Sequence, residues 1–134
     1  MKVVITEWAL NSYLDLKHSQ VFTEHEYRNI LRPDAELLKK GWPSKNPKFS
    51  NSKFWGPATG LDGRSIQCGF KMKWHNIGNG KVQLRLAVAF LRGKFFLCQA
   101  YVKTNDSLDK QQMARLKNRI NDIASETYGF RGYL

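Results

Sequence analysis

The chain is short of acid, nearly devoid of cysteine and free of long apolar runs, and each shortage excludes something. Only 11 Asp plus Glu stand against 22 Lys plus Arg in 134 residues, a formal net charge of +11. An excess of that size calls for an acidic partner, with nucleic acid first among the candidates. The two cysteines, Cys68 and Cys98, lie in apolar segments without metal-ligand spacing. They are too few for a zinc site and are expected as reduced, packed thiols, with no metal and no cofactor called for. No stretch approaches the roughly 20 apolar residues of a spanning helix, and the opening MKVVITEWAL has no signal-peptide layout. These absences lead to the expectation of a cytoplasmic protein with no membrane partner. No internal repeat or low-complexity tract is present, and the length fits one domain over residues 1–134.

What is present orders itself from the N-terminus. Val3 to Ile5 reads as a strand, and Thr6 can cap a helix whose apolar face is Trp8, Tyr13, Leu14 and Leu16. Thr23-Glu24-His25-Glu26 is a capping box for a second helix. Pro33 kinks or restarts that helix and Gly41 closes it, giving a helical hairpin. From Ile66 to Val102 the pattern turns strand-like. Asn79-Gly80 is a strong hairpin signal and Arg92-Gly93 a weaker one, so three antiparallel strands are expected. The last segment places Leu108, Met113, Leu116, Ile120 and Ile123 or Ala124 at helical spacing behind a cap at Asp106 or Ser107. The fold class that follows is α+β: an N-terminal strand and helical hairpin, an antiparallel sheet with helices packed on one face, and a C-terminal helix.

Between the hairpin and the strands, residues 41–65 hold three of the four prolines and interleave Trp42, Phe49, Phe54 and Trp55 with Lys45, Lys48 and Lys53. Aromatic planes beside cations suit base stacking and phosphate contact, which makes Lys53 and Trp55 candidate RNA contacts. The plainer alternative is an irregular loop pinned to the core by its aromatics, with its lysines in water.

Side chains two apart on a strand share a face. Ile66, Cys68, Phe70, Met72 and Trp74 therefore share one, leaving Lys71, Lys73 and His75 on the other. In the next strand Val82, Leu84, Leu86, Val88 and Phe90 oppose Arg85, Ala87 and Ala89. In the third, Phe96, Cys98, Ala100 and Val102 oppose Phe95, Leu97, Gln99 and Tyr101, with Lys103 following. The sum is a sheet with an apolar face against helices and a second face carrying Lys71, Lys73, His75, Arg85, Gln99, Tyr101 and Lys103. Neighbouring like charges repel, so such a face is easier to explain when an anion visits it.

The run CGFKMKWH, a hairpin turn and VQLRLAVAF resemble the central strands of the RelE/ParE toxin superfamily, particularly its RelE-like and HigB-like messenger-RNA interferases. The order of elements is similar as well. By that resemblance Lys71 and Lys73 match the paired basic residues of one strand, Arg85 matches the arginine that contacts the scissile phosphate, and Lys103 falls near a further basic position. Tyr128 and Tyr133 are candidates for the terminal tyrosine, and Tyr101, Lys103, Tyr128 and Arg131 are expected to contact RNA. The long segment before Ser65, and His75 where RelE-like toxins tend to have another basic residue, depart from the family pattern.

The activity the resemblance implies is metal-independent RNA cleavage by attack of a 2′-hydroxyl on the adjacent phosphate. It needs a proton acceptor, charge stabilisation at the phosphoryl oxygens and a proton donor to the leaving 5′-oxygen. Arg85 suits the second task through its planar donor fork. Lys71 and Lys73 add charge, crowding among cations can lower a lysine pKa enough for it to act as base, and His75 is the natural candidate acid or base. The expected partners are RNA, free or on ribosomes, and an acidic antitoxin. A noncatalytic nucleic-acid-binding module and a ParE-like gyrase inhibitor remain as alternatives, because the superfamily fold also serves members without nuclease residues.

Overall fold

Strand β1 (Val3–Thr6) runs directly into helix α1 (Glu7–His18), and one hydroxyl makes the junction. Thr6 Oγ1 accepts from the Ala9 amide at 3.2 Å and donates to the Leu97 carbonyl at 2.7 Å, so the cap also ties the helix to the sheet. The computed structural model describes residues 1–41 and 45–134; Trp42, one of the expected stacking aromatics, lies outside the described residues.

The second helical arm begins as anticipated. Thr23 Oγ1 accepts from the Glu26 amide and Glu26 Oε1 accepts from the Thr23 amide, completing the capping box of α2 (Glu24–Glu26). The chain continues through a π-helical segment, Tyr27–Leu31, into α3 (Arg32–Glu36), where Pro33 occupies the first turn, and then a 3₁₀ turn, Leu37–Lys40. Proline supplies no N–H, so the helix restarts around it rather than continuing in regular register. Gly41, at φ 89°, ends the arm.

Strands β2 (Trp55–Thr59), β3 (Ser65–Asn76), β4 (Val82–Leu91), β5 (Lys94–Val102) and β6 (Phe130–Tyr133) join β1 in one six-stranded sheet of order β2-β3-β4-β5-β1-β6. β1 lies parallel to β5 and every other pairing is antiparallel, so the sheet is mixed. Arg92 and Gly93 form a two-residue turn with φ of 50° and 74°. Asn79 and Gly80 also take positive φ, but Gly78 joins them, and the hairpin closes one pair further out at Ile77 and Val82. A Cβ at Gly78 would sit 2.7 Å from the Val21 carbonyl, so the close approach of the helical arm demands glycine there.

The α+β class holds, while the placement of helices on one face is corrected. α1 and the α2–α3 arm cover one face, over a core that includes Val3, Leu38, Met72, Trp74, Leu86, Val88 and Phe95. Helix α4 (Asp106–Ala124), capped by Asn105 rather than by Asp106 or Ser107, covers the other with Met113, Leu116, Ile120 and Ile123. That stripe needs an apolar seat. Ala58, Gly69, Ala87 and Ala89 provide it, and a Cβ on Gly69 would come within 3.2 Å of Leu116.

Two irregularities break the simple alternation. In β5, Ala87 stands opposite Gln99 but Val88 stands opposite Leu97, leaving one extra residue at Cys98. This bulge sends Phe95, Leu97, Ala100 and Val102 to the helical-hairpin side, and Phe96, Cys98 and Tyr101 to the α4 side. In β3, Cys68 adopts φ 67° where the pairing with β2 shifts, so Ile66 and Cys68 face α4 while Phe70, Met72 and Trp74 face the hairpin. The expected grouping of Ile66 and Cys68 with Phe70, and of Cys98 with Ala100, is thereby replaced.

Candidate nucleic-acid interface

The strand pairing gathers the basic residues into two rungs. Lys73, Arg85 and Tyr101 align across β3, β4 and β5, and Lys71, Ala87 and Gln99 align in the next rung. Both rungs lie toward α4, whose first turn delivers a carboxylate into their midst. Asp109 accepts from the Lys71 ammonium at 3.0 Å through Oδ2 and from the Tyr101 hydroxyl through Oδ1. The Lys71 and Asp109 side chains are only 12% and 14% exposed. Burial pushes the Asp109 pKa up, but the hydrogen bonds from Tyr101 and Lys71 outweigh it and hold the carboxyl below its usual value. Burial and the bond to Asp109 push Tyr101 up, so it stays a neutral donor.

Arg85 is 4% exposed, which corrects the expectation of an accessible donor fork. Its Nη1 donates to the Trp74 and Leu84 carbonyls, both at 3.3 Å, and its Nη2 donates to Gln83 Oε1 at 3.0 Å. Burial lowers its pKa, although a guanidinium remains charged at any ordinary pH. Among the described residues no carboxylate forms a salt bridge with it. Arg85 is thus a cation under the surface whose described donors are turned to protein acceptors. Beside it, Gln99 is buried and donates to the Gln112 carbonyl at 3.0 Å, but its Oε1 has no partner among the described residues.

The accessible part of the cluster lies toward the β2–β3 edge. Lys73 Nζ donates to the Ser52 carbonyl at 2.8 Å. Its pKa is lowered, first by burial and then by the charges of Lys71, Arg85 and Lys103. His75 is exposed, with ring Nε2 against the Lys53 carbonyl, and Lys53 itself is exposed. A carbonyl only accepts, so Nε2 carries the proton in that contact. Lys103 reaches Asp106 at 3.6 Å from a half-buried position.

Three expected RNA contacts do not join this group. Trp55 is 5% exposed and stacks on Phe70 at 5.2 Å, with Phe49 against its edge; the aromatics of the 45–59 stretch pin it to the core, as its apolar character favours. Tyr128 packs edge-on against Phe96, and Arg131 pairs with Glu7 at 3.2 Å. Both belong to the β6 end, with β4, β5 and β1 between that strand and β3. Asp109 is the member that sequence reasoning missed. Its only signal is an acidic residue in the first turn of a helix following β5, which reads equally as a partner of the helix dipole.

No group of three or more potential metal-binding side chains occurs among the described residues, and no described helix is long and apolar enough to cross a membrane. No family model matches the chain, and no curated protein matches it significantly.

Proposed function

We propose that the protein engages RNA along the seam of Lys53, Lys73, His75 and Lys103, and that it acts in the manner of a RelE/ParE-type toxin. The observation that carries this reading is the gathering of Lys71, Lys73, Arg85 and Lys103 at one end of three adjacent strands, around the half-buried carboxylate of Asp109. Four cations so placed repel one another, and the lowered Lys73 pKa registers that repulsion together with burial. A polyanion relieves it, with release of counterions as the accompanying gain.

Cleavage is the narrower reading. The 2′-oxygen forms a bond to phosphorus, the bond from phosphorus to the 5′-oxygen breaks, and a cyclic phosphate and a 5′-hydroxyl result. In this reading Lys73, whose pKa is lowered by burial and by the neighbouring cations, takes the proton of the 2′-hydroxyl, and His75 gives one to the leaving oxygen. Lys103, with the buried charge of Arg85 in the adjacent rung, supports the phosphoryl charge. The burial of Arg85 favours the second reading, binding without cleavage, because its fork is already occupied. A cytoplasmic location and neutralisation by a small acidic antitoxin belong to the toxin reading.

The test is incubation of purified protein with RNA in EDTA, free and on ribosomes, alongside binding by fluorescence anisotropy over a salt series. Cyclic phosphate ends, with cleavage falling about 100-fold in Lys73→Ala while binding falls much less, establish the nuclease. Salt-sensitive binding without products establishes the binding module. Gyrase inhibition without RNA binding overturns both in favour of a protein-targeting toxin.

A further inference from the structure

We infer that Lys71, Tyr101, Lys103 and Arg85 form an oxyanion site of phosphate type, and that the chain's own Asp109 carboxylate occupies it as an internal competitor. The proposal rests on the RNA reading only for the identity of the natural anion.

The arrangement around Asp109 is what a bound phosphate oxygen requires. One ammonium at 3.0 Å and one phenolic hydroxyl donate to its two oxygens, and Lys103 and Arg85 contribute charge without direct contact. A phosphodiester brings the same single negative charge, two acceptor oxygens and further phosphates that can meet Lys73 and Lys53. A carboxylate placed by the fold brings only the first two.

Helix α4 is built so that its first turn can leave while the rest stays. Its fully buried anchors begin at Met113 and continue through Leu116, Ile120 and Ile123. Before Met113, Asp106, Ser107, Lys110 and Gln111 are exposed, and Leu108 and Gln112 are half-buried. Asp109, the Asn105 cap and the Gln99 bond to the Gln112 carbonyl therefore fasten this turn. Opening one helical turn costs far less than global unfolding. If the site stands open about one tenth of the time, apparent anion affinity falls about tenfold, and removing the internal ligand restores it.

The probes are inorganic tripolyphosphate and a short single-stranded RNA, titrated against wild type, Asp109→Asn and Asp122→Asn. Asp122 is exposed near the far end of the same helix, so its variant removes the same charge without touching the site. The expected result is about tenfold tighter tripolyphosphate binding in Asp109→Asn, little change in Asp122→Asn, and loss of the gain when Lys71→Gln is added. In wild type, saturating tripolyphosphate speeds hydrogen exchange at Asp106–Gln112 and leaves the remainder of α4 protected, a measurement that needs no variant to fold. Equal affinity in the two single variants, or unchanged exchange in that turn, overturns the proposal. Enhanced tripolyphosphate binding with no RNA binding supports the oxyanion site and overturns the RNA reading. RNA binding that is identical in wild type and Asp109→Asn overturns the internal competitor alone.

Discussion

The two faces of the sheet are packed to different rules. Under the helical hairpin the contact is mainly apolar, with Met72, Val88 and Phe95 almost fully buried and aromatic rings of Trp55, Phe70, Phe90 and Phe95 packed edge to face, tilted or stacked. Its buried acid, Asp34, is consumed by structure: it accepts from the Trp74 indole at 2.9 Å and from Lys48 at 2.7 Å, fastening the 47–50 turn to the sheet. The α4 face is apolar for half its length and ionic for the rest, where Lys71, Arg85, Gln99, Tyr101 and Asp109 replace hydrocarbon. A packed hydrocarbon face stabilises through area removed from water. A buried polar cluster contributes little net stability and is the expected place for chemistry. Cys98, also on this side, is not part of that chemistry, because burial pushes its thiol up to about 12.

This contrast can be broken or sharpened by four measurements. The largest effect belongs to the hairpin face: Met72→Ala should cost about 2–5 kcal/mol in urea or thermal unfolding, since a closed apolar site keeps the cavity. A loss below 1 kcal/mol would mean that this face is loosely packed and that the contrast drawn here is false. Next comes Asp34→Ala, which leaves the Trp74 indole N–H unpaired and should cost about 1.5–3 kcal/mol, without altering anion affinity.

The third measurement uses pH. Asp109 has a folded pKa below its unfolded value of about 3.9, so its contribution is fully present above that value and is lost as pH falls through the lower folded one. The stability gap between wild type and Asp109→Asn, about 1–2 kcal/mol near neutrality for a half-buried charged hydrogen-bonding group, should close below about pH 4. Urea midpoints from pH 3 to 7 measure it, and a gap independent of pH would assign the loss to packing. The smallest effect is expected for Arg85→Met. With no salt bridge to lose, the variant should remain within about 1 kcal/mol of wild type, or gain, while RNA affinity falls. A strong destabilisation would make Arg85 a structural cation rather than a functional one.

Much of the local structure was legible because short-range chemistry dictates it. The Thr23–Glu26 box, the restart at Pro33, the stop at Gly41 and the turn at Arg92-Gly93 each need only neighbouring residues, and each is present. The apolar stripe of α4 was equally plain. Membership of the basic cluster was legible for Lys71, Lys73 and Arg85, since uninterrupted alternation carries them from sequence to one face. Asp109 was not, because it reaches Lys71 from 38 residues away and enters only when α4 docks. Tyr128 and Arg131 were drawn toward the cluster by composition, whereas the strand order sends them to the opposite edge.

The sequence by itself determined the element types, the turns and the excess of cations, all of which follow from backbone preference, periodicity and charge. Only the tertiary structure decided which face each half of β3 and β5 serves, because a single extra residue at a bulge reverses every side chain beyond it and leaves no mark in the periodicity on either side. It also decided that the charged end of the sheet lies beneath a helix. The stripe of Met113, Leu116, Ile120 and Ile123 must leave water, the seat of Ala58, Gly69, Ala87 and Ala89 receives it, and the carboxylate one turn earlier is carried in among the cations.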